Sequence, residues 1–167
     1  MIISIMKNTL IIFITLFSSL IAQIQYGGQP VFFTDRDINI DFLTISNETE
    51  KINRNFHPMV FQYGDEYLLD VDILDYASSF IEGENVTFMF GVESPDAHSI
   101  SFNFSEFYLT ENSKMFFYDN NRTDFLGSFT SKNNKSAGDL STTLIQGDKV
   151  ILEVTLPLNE VEDLQNI

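Results

Sequence analysis

His57 and His98 are the only imidazoles in this sequence, and it contains no cysteine. The missing thiol removes disulfides, thiolate nucleophiles, zinc ribbons and iron–sulfur ligation in one step. Both histidines lie in turn-like contexts, Asn55-Phe56-His57-Pro58 and Asp96-Ala97-His98-Ser99, where an imidazole is ordinarily solvated or caps a turn. Zinc needs three or four ligands, and two scattered histidines do not supply them. An α/β-hydrolase would show Gly-x-Ser-x-Gly and a trypsin-like enzyme Gly-Asp-Ser-Gly-Gly; neither occurs. No catalytic, cofactor-binding or metal-ligating residue is expected.

Carboxylate chemistry remains, because Asp and Glu total 24. The run Asp35-Arg36-Asp37-Ile38-Asn39-Ile40-Asp41 sets oxygens at positions 1, 3, 5 and 7 of a would-be EF-hand loop. That loop requires Gly at position 6 and Glu at position 12, where Ile40 and Ser46 stand. Ile38 and Ile40 fit a strand instead. Asp119, Asn120, Asn121 and Asp124 form a second oxygen cluster, explained as hairpin-turn residues that tolerate left-handed backbone. Asp70 and Asp72, with Asp75 beyond, alternate with Val71 and Ile73 as the wet face of a strand. A carboxylate pair can hydrolyse glycosides, but in so acidic a chain a pair means nothing without a cleft. For sugar stacking, Tyr63, Tyr67, Tyr76, Tyr108 and Tyr118 stand in for the absent Trp. The sequons at Asn47, Asn85, Asn103, Asn121 and Asn134 are what an Asn-rich and Ser/Thr-rich chain yields by chance.

The elements that must hold these residues follow from composition and periodicity. A length of 167 residues implies one domain with room for a core. Lys and Arg total only 9, so the formal charge is -15, and such a surface repels phosphate backbones. Nucleic acid is not an expected partner. The rings are 17 Phe and 6 Tyr; Phe has no polar atom to satisfy, which sends most of them inside.

Residues 1–22 read as a signal peptide. Lys7 supplies the charge, Leu10–Phe17 the short apolar run, and Ser18, Ser19 and Ala22 the small residues toward the exit. The run is too short for a comfortable membrane span. The remainder is expected to be secreted, extracellular or periplasmic, without stable membrane insertion. Residues 23–157 form its globular module, and the acidic stretch 158–167 reads as a linker or frayed end.

Within that module the period is two. Ile38, Ile40 and Phe42 alternate with Asp37, Asn39 and Asp41; Val86, Phe88 and Phe90 share a side; Ile100, Phe102 and Phe104 alternate with serines and Asn103. Val150, Leu152, Val154 and Leu156 face one way, with Glu153 and Thr155 opposite. Further strands are predicted over 67–73, 106–109, 114–118, 124–129 and 141–145, with a short helical turn over 74–80. Breakers such as Ser94-Pro95-Asp96 and Gly147-Asp148 separate them. The expected fold is all-β: an antiparallel two-sheet sandwich, jelly-roll-like.

One stretch has the order and spacing of a family motif. It covers residues 96–157, from Asp96-Ala97-His98-Ser99-Ile100-Ser101-Phe102-Asn103-Phe104 through Met115-Phe116-Phe117-Tyr118-Asp119 and Leu126-Gly127-Ser128-Phe129-Thr130-Ser131-Lys132-Asn133-Asn134 to Gly147-Asp148-Lys149-Val150-Ile151-Leu152-Glu153-Val154-Thr155-Leu156-Pro157. This resembles the N-terminal, pre-catalytic region of secreted bacterial lysyl-endopeptidase-like serine proteases. The resemblance implies a propeptide-like, non-catalytic module whose partner is a trypsin-like catalytic domain, in cis or in trans, that it helps to fold or restrains. The family's Trp-rich strand ahead of residue 96 is not evident in this Trp-free chain, and Val86–Phe90 is the segment that stands in its place. A secreted module binding carbohydrate or a cell surface is the alternative.

Overall fold

The computed structural model describes residues 25–31, 39–46, 48–52 and 64–165. In chain order the strands are Phe42–Thr44 (β1), Ser78–Glu82 (β2), Asn85–Glu93 (β3), Ser99–Ile100 (β4), Asn103–Phe104 (β5), Lys114–Asp119 (β6), Phe125–Phe129 (β7), Leu140–Ser141 (β8), Ile145–Gln146 (β9) and Lys149–Pro157 (β10). β10 is the middle of a six-stranded sheet, antiparallel to β3 on one side and to β6 on the other. β7 lies outside β6, while β1 and β2 pair with opposite ends of β3. The chain is all-β, with mixed pairing: β1 runs parallel to β3, where a purely antiparallel arrangement was expected.

Alternation along β10 gives the sheet two different faces. Val150, Leu152, Val154 and Leu156 join Val86, Met115, Phe117 and Phe129 in the larger core. Phe107, Leu109, Leu140 and Ile145 close that core, with Ile100, Phe102 and Phe104 packed against it. These covering residues lie in and beside two short antiparallel ladders, β4–β9 and β5–β8. Phe117 is fully buried, with the Phe102, Phe129 and Phe104 rings at 5.4, 5.7 and 6.0 Å between centroids. Burial of one such ring stabilises by roughly 2–3 kcal/mol. On the opposite face Ile151 packs with Met89, Phe116 and Tyr118, under Val31, Ile40, Phe42, Phe80 and Phe125.

Several predicted elements differ for local reasons. Over 106–109 the alternation is real, since Phe107 and Leu109 are buried and Tyr108 exposed, yet no strand forms. The Leu109 N–H and C=O are both taken by the Asn134 side-chain amide, at 2.9 and 2.8 Å, so a partner strand is not needed there. The continuous alternation over 99–105 splits into β4 and β5. A one-residue mismatch against β9 and β8 interrupts the ladder, and Thr142 Oγ1 accepts from Phe102 N–H across the gap.

Among the described residues, 67–73 form no strand: Tyr67 makes an isolated antiparallel bridge with Lys51, and Leu68 N–H donates to the Glu50 carbonyl at 2.8 Å. Asp72 then caps the helix Ile73–Tyr76 by accepting from Leu74 N–H at 2.9 Å. The helix stops at Tyr76: Ala77 is extended, and residues 78–82 pair with β3 as β2. Of the predicted strand over 37–42, residues 37 and 38 lie outside the described residues, and the observed strand is Phe42–Thr44. In the tail, a 3-10 turn at Leu158–Glu160 leads into the helix Val161–Gln165, and Val161 packs on the larger core.

Candidate functional site

Among the described residues three clusters of polar side chains bear on function, two built by a strand or its turn and one between a loop and the C-terminal helical segment. At the end of β6, Asp119 is nearly buried. Its carboxylate accepts from Asn121 N–H at 3.2 Å, Thr123 N–H at 2.8 Å, Thr123 Oγ1–H at 3.1 Å and Asp124 N–H at 3.4 Å. The expected hairpin-turn role is the observed one. A carboxylate saturated by its own turn has little left to offer a cation.

The second place was missed in the sequence. Glu153, expected on the wet face of the last strand, is fully buried on β10. Tyr118 on β6 donates its O–H to Glu153 Oε2 at 3.0 Å, and Val31 N–H donates to Oε1 at 2.6 Å. Burial and the Glu153 charge together push the Tyr118 phenol well above the ordinary tyrosine range. Tyr118 is therefore a core residue, which removes it from the candidate sugar platforms.

The third place is a depression of about 530 Å³ lined by Tyr108, Thr110, Glu111, Asn159, Glu160 and Asp163. Tyr108 stands out because Phe107 and Leu109 on either side are anchored in the core; 46% of it is exposed. Glu160 accepts from Asn112 N–H at 3.2 Å and from Asn112 Nδ2–H at 2.5 Å. A hydrogen bond from Thr110, and then those from Asn112, hold its carboxyl below the usual range. The depression thus sets a half-exposed tyrosine beside Glu111, Asn159 and Asp163, with Glu160 already committed to Asn112 and Thr110, a mix of aromatic and polar groups of the kind that binds a sugar.

The remaining candidates do not converge. His98 is exposed in a turn where its carbonyl accepts from Gly147 N–H. His57 and Tyr63 lie outside the described residues, as do positions 35–38 of the calcium-like run. Among the described residues no group of three His, Asp or Glu side chains is arranged to hold a metal ion. Tyr76, like Tyr108, is exposed, and Tyr67 is half-buried. Asp70, Asp72 and Asp75 are exposed, though on an irregular segment, at a helix N-cap and within that helix respectively, not along a strand. Also among the described residues, no helix is long and apolar enough to cross a membrane.

The residues of the family-like motif sit inside the architecture. Gly127 on β7 has φ +131°, and a Cβ there would lie 2.7 Å from the Met115 carbonyl oxygen. Asn133 closes a capping box with Thr130, accepting from its N–H at 2.9 Å, and Asn134 clamps Leu109. No family profile, curated protein or solved structure matches the chain.

Proposed function

We propose that this chain is a non-catalytic, exported module resembling the pre-catalytic region of a lysyl-endopeptidase-like serine protease precursor. Its work is to help fold, or to restrain, a trypsin-like catalytic domain. The carrying observation is where the motif residues lie. β10 and β6 lie inside the six-stranded sheet, β7 packs its Gly127 closely against β6 at the sheet's edge, and Asn134 holds the Leu109 backbone, so the residues that carry the resemblance have structural work. We read the six-stranded sheet and the two short ladders as the two layers of a jelly-roll-like sandwich, in keeping with the Phe-rich core between them. The formal charge of -15 suits a basic partner face and makes the association salt-sensitive.

Co-expression with a lysyl-endopeptidase-like catalytic domain lacking its own pre-catalytic region tests this reading. A change in the yield of soluble protease, or inhibition relieved by salt, is expected. Unchanged yield together with unchanged activity refutes it. The second reading, a carbohydrate- or surface-binding module, is favoured by the Tyr108 depression alone. It predicts retention on a polysaccharide matrix that Tyr108→Ala abolishes.

A further inference from the structure

A carboxylate in the middle of the central strand is an expensive choice, because a charge taken out of water costs several kcal/mol that an apolar residue avoids. Glu153 sits there fully buried, between Met89 of β3 and Phe116 of β6 in the pairing register. Its described partners come from two places: Tyr118 within the sheet and Val31 in the segment 26–31, which crosses this face. That segment is otherwise fixed at the free edge of β7. Tyr26 N–H donates to the Ser128 carbonyl at 2.9 Å, while Ser128 N–H and Oγ–H donate to the Gly27 carbonyl at 3.4 and 2.6 Å. Residues 25–29 are exposed, and only Pro30 and Val31 turn inward.

We infer that residues 26–31 form a reversible strap, latched by Glu153 and by Ser128, that opens without unfolding the sheet. The chemistry of the latch supports both states. Closed, one carboxylate oxygen is taken by the strap's own amide. Open, the carboxylate is hydrated where Val31 leaves it, while Ile40, Phe42, Phe80 and Phe125 stay on the cluster of Met89, Phe116 and Ile151; an aliphatic residue at 153 would leave that spot wholly apolar. An aliphatic residue would also leave Val31 N–H unpaired in the closed state. Two hydrogen-bonded anchors and a solvent-exposed stretch are what a locally opening unit has. This inference does not depend on the pro-region reading.

Amide hydrogen exchange on the full chain tests it. In the wild type, peptides covering 26–31 should exchange at least tenfold faster than those covering 150–156, and by a route insensitive to low denaturant. Glu153→Gln exchanges a charged acceptor for a neutral one and should speed strap exchange about tenfold, leaving the β10 rate in step with global stability. Ser128→Ala, which leaves the carboxylate untouched, should do the same through the other anchor. Strap and β10 amides exchanging together in the wild type, or rising together in both variants, would overturn the inference, as would strap exchange unchanged by either substitution.

Discussion

Raising the pH should find Tyr118 silent. Its ring is fully buried, its O–H is committed to Glu153 at 3.0 Å, and ionising it would set a second negative charge beside a carboxylate in the core. Both burial and that charge move the phenol upward, so in the folded chain it stays protonated through the range where exposed tyrosines ionise. In the unfolded chain the same phenol ionises near pH 10. The sign follows from linkage. A folded-state value raised above the unfolded one contributes stability that is complete below about pH 10 and lost above it. With one proton at stake, the loss is about 1.4 kcal/mol for each pH unit beyond that point. The assay is absorbance at the tyrosinate band, recorded alongside circular dichroism, for the wild type and Tyr118→Phe. Both proteins should ionise the same number of tyrosines while the fold persists, and the wild type should release its additional tyrosinate only as the sheet unfolds. If Tyr118→Phe ionises one fewer under native conditions, the phenol is reached by solvent and the buried Glu153 pairing is wrong.

Two substitutions test the motif residues directly. Asn134→Ala strips both hydrogen bonds from the buried Leu109 backbone and should cost about 2–3 kcal/mol in urea unfolding; a loss within error of zero would mean that water replaces the amide. Gly127→Ala places a methyl group 2.7 Å from the Met115 carbonyl oxygen at a φ of +131°. It should cost about 3 kcal/mol or more, read as a lower melting temperature or lost soluble yield.

The sheet was legible wherever burial and backbone pairing coincide. β3 and β10 alternate in sequence, β6 and β7 are short apolar runs between turn residues, all four pair in space, and their edges fall within a few residues of expectation. Elsewhere the two signals separate. Residues 106–109 alternate because their side chains are sorted between core and water, but their backbone is satisfied by a side-chain amide, which periodicity does not register. β2 carries serines where a strand pattern wants large residues, and its pairing is imposed by the turn at 83–84. Of the candidate sites, the Asp119 turn could be read from Asp and Asn spacing because its partners are local. The Tyr108 depression could not, since Asn159 and Glu160 arrive from the far end of the chain.

Glu153 marks the deeper limit. A polar residue in an alternating strand is assigned to water by a two-layer argument, which assumes that one face of the sheet is bare. Here both faces are covered: one by the short ladders over Phe117, the other by Val31, Ile40 and Phe42. The cover on the Glu153 face, Val31, Ile40 and Phe42, lies far in sequence from β10, so its presence cannot be inferred from the strand itself. Once the second cover exists, the acid must find donors inside, and Tyr118 O–H and Val31 N–H meet that need at 3.0 and 2.6 Å. The burial of Glu153 and the docking of residues 26–31 are therefore one event, and a perturbation of either should be felt at the other.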